Sequence, residues 1–169
     1  MLRSLNLRKL GIEATPPASN FKVFPLDFQP LSCNRVKKGA MDSVEQVRTA
    51  ANLLVDHFGA GRVKEYFACF APDADFIFYT HPERLASRAA YEALWKSWET
   101  DFGFKVNSCK SSNQAIKIVN NNLAIFTHDV TTSITNNDGT DTVKERETIV
   151  FSLTGDRWVA IHEHLSPAS

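Results

Sequence analysis

The sequence predicts an α+β domain in which three N-terminal helices pack on a curved antiparallel sheet. Two observations predict the order of the elements. Helical periodicity is confined to residues 43–102, and the chain after Phe104 reads as strands separated by turn signals. A third observation places the last strand, residues 157–166, at the centre of the sheet. Both faces of this strand carry side chains that we expect to be buried. Helices over one face of such a sheet would enclose a cone.

The three helices are predicted from apolar residues at helical spacing. In the first, Ser43 and Gln46 have the spacing of a capping box, and Gly59 and Gly61 end the pattern. A short second helix follows from Val63 to Phe70 and is stopped by Pro72. The third is capped by Ser87 and has an inner stripe of large apolar side chains: Tyr91, Leu94, Trp95, Trp98 and Phe102.

The strands are predicted from β-rich runs and from the turns between them. Residues 76–79 read as a buried strand, with a second short strand near residues 81–85. Strands over 104–119, 123–135 and 142–153 then lead to the last strand. The turn at 136–139 favours a hairpin, because Asn, Asp and Gly tolerate positive φ.

Composition sets broad limits on the class of protein. The chain has 169 residues, 43% hydrophobic and 22% charged, which suits one globular domain. No apolar run approaches the roughly 20 residues that span a bilayer, so we expect no membrane partner. Three cysteines without metal-ligand spacing favour a reduced, cytoplasmic location. We expect no cofactor.

The first 40 residues differ from the rest. They contain four of the seven prolines, and seven basic residues against two acidic ones give a net charge of +5. Because the whole chain is neutral, residues 41–169 carry −5, which argues against nucleic acid as a partner. We interpret residues 1–40 as a basic leader and residues 41–169 as the folded domain. The leader could direct organelle import, or Met41 could be the true start of a bacterial protein.

The last strand presents two rows of side chains, since neighbours along a strand point to opposite faces. One row is apolar apart from a single acid: Val159, Ile161, Glu163 and Leu165. The other row carries two imidazoles: Trp158, Ala160, His162, His164 and Ser166. The row that faces the interior decides which side chains could meet a ligand.

The element order, the strand at 147–151 and the ending at 158–166 resemble the nuclear transport factor 2-like superfamily, and its SnoaL-like branch most. The ending is also similar to the association domain of calcium/calmodulin-dependent kinase II. The resemblance covers about residues 42–167. It implies a cone-shaped, cystatin-like fold with a pocket between helices and sheet, and pairing of two subunits through the convex sheet face. Since relatives include isomerases, cyclases, dehydratases and pure assembly domains, it does not imply one function.

The resemblance also implies an orientation for the last strand. Pocket arginines of the kinase association domain match Ile149 and Leu165, so the row with Glu163 would face the pocket, and His162 and His164 the dimer interface. Both arginines are aliphatic here. We therefore expect an apolar pocket that contains one acid rather than a pocket for a carboxylate ligand.

Glu163 is the main catalytic candidate, because an apolar environment raises the pKa of a carboxyl group and suits it to proton transfer. The alternative for Glu163 is an ion pair with Lys or Arg, or a side chain that reaches solvent at the end of the strand. For Glu147 the alternative is an ion pair with Lys or Arg. His128 shares its row with Ala124, Phe126 and Val130, and is either a second catalytic group or a hydrogen-bonded structural residue. The other predicted pocket residues are Tyr79, Trp95, Trp98, Glu147, Ile149, Ile161 and Leu165.

A metal site is the weaker interpretation of the histidines. His162, His164 and His128 could supply three ligands, but no acid or thiol completes the set, so we predict no metal site.

Two functional hypotheses follow. The first is a homodimer that binds a small apolar or aromatic molecule, with proton-transfer chemistry of the isomerase, cyclase or dehydratase type. The second is a non-catalytic dimerisation or assembly domain.

Overall fold

The computed structural model describes residues 42–168. The leader predicted over residues 1–40 lies outside the described residues. Within the described residues there are three helices: α1 (Ser43–Gly59), α2 (Val63–Phe67) and α3 (Arg88–Phe102). Helix α3 begins as predicted, because the Ser87 hydroxyl accepts a hydrogen bond from the Ala90 amide at 3.1 Å. It ends at Gly103, whose φ of 63° is the left-handed conformation that favours glycine.

The start of α1 differs from the predicted capping box. Asp42, not Ser43, occupies the N-cap position, and its side chain makes no capping hydrogen bond. The Gln46 carbonyl oxygen instead accepts a hydrogen bond from the Trp158 indole at 3.1 Å. The capping box is therefore wrong, because Gln46 is used to join α1 to the last strand.

Five strands form one sheet: β1 (Phe70–Phe78), β2 (Lys105–Asn120), β3 (Leu123–Asn136), β4 (Gly139–Thr154) and β5 (Arg157–Pro167). Their order is β1-β5-β4-β3-β2. The four strands from β2 to β5 pair antiparallel as a meander. The edge strand β1 pairs parallel to β5, which a chain can do only through a long crossover, here formed by α3 and the meander. The last strand is therefore covered by neighbours on both sides.

The segment around β1 was predicted less well. Strand β1 begins at Phe70, so the second helix ends at Phe67, three residues earlier than expected. The short strand predicted near 81–85 is a single bridge between Phe76 and Leu85. Local apolar spacing cannot separate a short helix from a strand start, which pairing with β5 decides.

Aromatic rings fill the space between the helices and the covered face of the sheet. Tyr66 lies at the centre, and its ring contacts rings on all three helices and on β1. Tyr91 and Trp95 of α3 continue the cluster towards Trp98 and Phe104. The side chains buried beneath them on β3 and β4 include Phe126, Ile149 and Phe151.

Strand β5 does not alternate strictly. Val150 pairs with His162, whereas the next residue, Phe151, pairs with Ala160, so Ile161 is the extra residue of a bulge. Because of the bulge, Ala160 and Glu163 both lie on the covered face and both are buried. The prediction that Val159, Ile161, Glu163 and Leu165 form one row is therefore wrong for the two residues that precede Glu163. It holds for Glu163 and Leu165, which pair with Ile149 and Glu147.

Candidate functional site

Three glutamates lie side by side on the covered face of β4 and β5. Glu163 is 3% exposed, Glu147 8% and Glu145 9%. Glu163 is opposite Ile149 and Glu147 opposite Leu165, which places the two carboxyl groups on neighbouring strands, two residues out of step. Three acids on one buried surface repel one another when ionised, which favours retention of a proton within the group.

Glu163 is the deepest member of this group. Its Oε2 accepts a hydrogen bond from the Tyr66 hydroxyl at 3.2 Å, and the Tyr91 hydroxyl lies 3.5 Å from that of Tyr66. Burial raises the pKa of Glu163 well above the ordinary value, and the charge of Glu147 and a hydrogen bond with that side chain raise it further. Glu163 is therefore a carboxylic acid that keeps its proton where an exposed glutamate has lost it.

Glu147 connects Glu163 to a histidine. Its Oε2 is in a short hydrogen bond with Nε2 of His128, the residue opposite it on β3. The His128 side chain is fully buried, and its Nδ1 lies 2.7 Å from the Ser111 hydroxyl of β2. The hydrogen-bonded network thus runs from the two acids, through the His128 imidazole, to Ser111 at the half-buried edge of the sheet.

The chain of hydrogen bonds ends at α1. Gln114 donates through Nε2 to the Ser111 hydroxyl at 2.9 Å and to Asn52 Oδ1 at 3.0 Å. The Gln114 carbonyl oxygen accepts from Arg48 at 3.4 Å. Residues from α1, β2, β3, β4 and β5 therefore form one continuous network.

Glu145 ends the carboxylate row nearest to solvent. Burial raises its pKa, a hydrogen bond from Tyr79 opposes the shift, and the charge of Glu147 adds to it. Tyr79 itself is 46% exposed and follows the last residue of β1. Burial and the charge of Glu145 raise the pKa of Tyr79. Tyr79 is thus at the rim of the carboxylate row rather than in its interior.

Among residues 42–168, neither Lys nor Arg forms an ion pair with any of the three glutamates. The ion pair that was the alternative for Glu163 and Glu147 is therefore excluded in this part of the chain. The side chain that Glu147 does contact by a hydrogen bond is the imidazole of His128. Without a cationic partner the buried carboxyl groups retain protons, whereas an ion pair with Lys would favour the ionised carboxylate.

The predicted pocket residues come together only in part. Ile149 and Leu165 flank the acids, as the register shows. Trp95 is buried and Trp98 half-buried in the ring cluster, where Trp95 donates to Glu99 at 2.9 Å. Ile161 lies in the β-bulge instead of beside Glu163.

An open groove of about 620 Å³ lies between α2 and α3. Phe67 and Trp95 line it, and both also contact the rings of Tyr66 and Tyr91. Two layers of aromatic rings therefore separate the groove from Glu163, since Tyr66, which contacts Glu163, lies behind the lining rings. The rest of the lining is Val63, Lys64, Ala68, Arg88, Glu92, Lys96 and Glu99.

His162 and His164 are on the opposite face of the sheet from His128. Nδ1 of His162 lies 2.6 Å from Asp75 of β1, which also forms an ion pair with Arg84 at 2.7 Å. His164 is exposed between Ile77 and Thr148. The three histidines cannot share one metal ion, because the sheet separates them. In residues 42–168 no group of His, Cys, Asp and Glu has the geometry of a metal site.

Six members of the network were not predicted from the sequence: Arg48, Asn52, Tyr66, Tyr91, Ser111 and Gln114. The two tyrosines were placed on apolar helix stripes, and nothing in their spacing distinguishes a hydroxyl that meets an acid from one at the surface. Ser111 and Gln114 lie in a polar stretch of β2 that contains a bulge between Ser112 and Ala115. Only the pairing of β2 with β3 brings Ser111 to His128.

Solved structures share this fold at low sequence identity. A protein from Xanthomonas campestris, provisionally assigned as a calcium/calmodulin-dependent protein kinase II association domain, is 18% identical. The match has a TM-score of 0.63 and covers 80% of this chain and 95% of that one. A ketosteroid isomerase-like protein from Erwinia carotovora atroseptica is 12% identical, with a TM-score of 0.65 and coverage of 77% and 99%.

A provisionally assigned scytalone dehydratase from Novosphingobium aromaticivorans is 16% identical, with a TM-score of 0.63 and coverage of 74% and 83%. Matches at this identity show the fold alone, and they confirm the predicted nuclear transport factor 2-like fold. A search of curated proteins found no match. The profile of the SnoaL-like domain family matches residues 47–169, and the chain therefore belongs to that family.

Proposed function

We propose that this domain binds a small, largely apolar molecule and transfers a proton to or from it through Glu163. The observation that carries the proposal is the buried pair of Glu163 and Glu147, which has no Lys or Arg partner in residues 42–168 and is backed by His128. A protonated carboxyl group next to an ionised one can both donate and accept a proton. A contribution to stability does not explain such a pair, because burial of the two carboxyl groups opposes their ionisation.

The roles of the individual groups follow from their hydrogen bonds. Glu163 is the general acid in its protonated form and the general base once it has donated. Glu147 is the carboxylate that accepts from both Glu163 and His128. The Tyr66 hydroxyl orients Glu163 through its hydrogen bond. If this hydroxyl turned from Glu163 to the ligand, it would stabilise negative charge on the ligand.

The side chains around the acids favour an apolar ligand. Ile149 and Leu165 lie opposite the two acids in the strand register. Trp95 and Trp98 belong to the ring cluster beside the acids, and Tyr79 lies at the rim. Because Glu163 is almost completely buried, a ligand has to separate some of these rings to reach it. We infer that the ligand enters from the groove lined by Phe67 and Trp95, whose rings contact that of Tyr66.

The comparisons support this class of chemistry without choosing a substrate. The fold neighbours include an isomerase-like protein and a provisionally assigned dehydratase, and both names denote reactions in which protons move. At identities of 12% and 16% neither substrate is transferred to this chain.

The test is Glu163→Gln, which keeps the size and hydrogen bonding of the side chain but cannot ionise. A set of small cyclic β,γ-unsaturated ketones in D₂O serves as the probe, with deuterium incorporation followed by NMR. We expect the wild-type protein to accelerate exchange and Glu163→Gln to lower the rate by about 10²-fold or more. Glu83→Gln, at an exposed turn position, is the matched control and should leave the rate unchanged. Equal rates for Glu163→Gln and the wild type would contradict the proposal, as would a wild type that accelerates none of the probes.

We also propose that two copies pair through the face of the sheet that the helices leave uncovered. This open face presents Ile77, which is 39% exposed, and Val150, beside His162 and His164. A solvated β-sheet face usually carries polar residues, so apolar ones here favour a partner. The similarity to association domains supports self-association as the role that would remain if catalysis were absent.

Sedimentation velocity of the full chain tests the pairing. We expect a dimer for the wild type and a monomer with unchanged circular dichroism for Val150→Arg. Leu53→Arg adds the same charge at an exposed apolar position of α1 and should remain a dimer. A monomeric wild type, or a dimeric Val150→Arg, would contradict this interface.

A further inference from the structure

The hydrogen bonds that lead to the acid pair can be followed from Arg48, whose direction of donation is certain. A guanidinium group only donates, so the Gln114 atom that it contacts at 3.4 Å is the carbonyl oxygen. The Gln114 amide nitrogen therefore faces the other way, towards Asn52 Oδ1 and Ser111 Oγ. One arginine thus determines the orientation of the Gln114 amide.

The direction continues through Ser111. Its hydroxyl oxygen already accepts a hydrogen bond from Gln114 at 2.9 Å, and its single hydrogen remains for another acceptor. The Nδ1 atom of His128 lies 2.7 Å away in the direction of the buried network. If Ser111 donates to it, Nδ1 carries a lone pair and no hydrogen.

The tautomer of His128 then follows. A neutral imidazole without hydrogen on Nδ1 carries it on Nε2, the atom that contacts Glu147. The Nε2–H group donates to Glu147 and stabilises it as the carboxylate. The shared proton of the acid pair is consequently held by Glu163, which donates it to Glu147.

We propose that Arg48, Gln114 and Ser111 are positioning residues that select the Nε2–H tautomer of His128 and thereby decide which of the two buried carboxyl groups is the acid. The inference deepens the proposed function and rests on it for its catalytic meaning. The tautomer itself is a property of the resting protein. The hydrogen bonds of the three positioning residues reach His128, Asn52 and one another, and not Glu163 or Glu147.

The experiment is ¹⁵N NMR of the full chain labelled at histidine, with two-bond ¹H–¹⁵N correlations that distinguish a protonated ring nitrogen from an unprotonated one. His128→Gln identifies the signals of His128 among the five histidines. We expect an unprotonated Nδ1 and a protonated Nε2 in the wild type at neutral pH. A wild-type His128 with hydrogen on Nδ1 would overturn the proposal.

Gln114→Glu is the most informative variant, because it has the same shape but replaces the donor with an acceptor. The Ser111 hydroxyl then donates to the new carboxylate and accepts from His128, so we expect the hydrogen to move from Nε2 to Nδ1 or a second one to appear on Nδ1. Asn122→Asp adds the same charge in an exposed turn and should leave the signals unchanged. A folded Gln114→Glu with the wild-type pattern would refute the role of Gln114.

Ser111→Ala provides a second variant if Gln114→Glu does not fold. Loss of the hydroxyl removes the donor to Nδ1, and we expect a mixture of the two tautomers in place of one. Ser112→Ala, at the exposed neighbouring position, is its control. An unchanged pattern in Ser111→Ala would overturn the proposal. Because these spectra need no ligand, they separate this inference from the exchange assay, which tests whether Glu163 is catalytic.

Discussion

The hydroxyl of Tyr66 donates a hydrogen bond to Oε2 of Glu163 at 3.2 Å, although 97 positions separate the two residues in the chain. The tyrosine comes from the short helix α2 and the acid from the last strand. Since Tyr66 has a single hydrogen, the 3.5 Å contact with Tyr91 has Tyr91 as the donor. Two rings of the apolar core are therefore also the polar support of the acid.

Tyr66→Phe should lower the free energy of unfolding by about 1 kcal/mol, because Glu163 loses its neutral donor while ring packing is retained. The same change should raise the pKa of Glu163 further, since the Tyr66 hydrogen bond holds that pKa down. Urea denaturation and ¹³C NMR titration of carboxyl-labelled glutamate measure the two effects. Tyr91→Phe removes only the longer contact and should cost less. A larger loss for Tyr91→Phe than for Tyr66→Phe would show that the order of donors is wrong.

Stability should decrease as the pH rises above the acidic range. Burial raises the pKa values of Glu163 and Glu145 in the folded state, so the native protein binds more protons than the unfolded chain. This contribution to stability is complete below the unfolded value of about 4.3 and is lost as the pH passes through the raised folded values. Glu163→Gln cannot lose a proton and should melt with a weaker dependence on pH, measured by calorimetry from pH 4 to pH 9. An identical slope for the two proteins would mean that Glu163 is ionised in the folded state.

Gly59→Ala should destabilise the protein although alanine favours helices. A Cβ atom at Gly59 would lie 2.8 Å from the backbone nitrogen of Cys109, so α1 and β2 would have to separate. We expect a loss of about 1–3 kcal/mol in chemical denaturation. Cys109→Ala should not rescue the variant, because the nitrogen and the Cβ atom of residue 109 remain. A Gly59→Ala protein that is as stable as the wild type would show that α1 can shift at no cost.

Asp75→Asn should destabilise slightly at neutral pH and not at all in strong acid. Burial acts to raise the pKa of Asp75, but hydrogen bonds from His162 and Arg84 outweigh it, and the net shift is downward. The resulting stability is present above the unfolded value of about 3.9 and is lost as the pH falls through the lower folded value. Because the pair is partly exposed, we expect less than about 1 kcal/mol in thermal denaturation. Asp73→Asn, on an exposed position of the same strand, is the control, and an equal effect of both changes would remove any role for His162.

Periodicity and turn chemistry in the sequence determined most of the fold. The spacing of apolar residues gave α1 and α3, Ser87 gave the start of α3, and the turn at 136–139 gave the β3–β4 hairpin. These are local signals, since each depends on residues within one or two turns of the chain. Glu163 could also be selected, because a single acid in an apolar strand is visible without knowledge of its neighbours.

Tertiary structure decided what surrounds that acid. The bulge at Ile161 turns Ala160 into the core, and the register of β4 with β5 places Glu147 beside Glu163. The register of β2 with β3 brings Ser111 to His128. Each of these contacts depends on how strands that are distant in sequence align. A shift of one residue would turn every side chain of a strand to the other face. The bulges that set the alignment here are not visible in the local pattern of the sequence. The sequence alone therefore identified Glu163 as a buried acid, and only the packed sheet decided which groups share its proton.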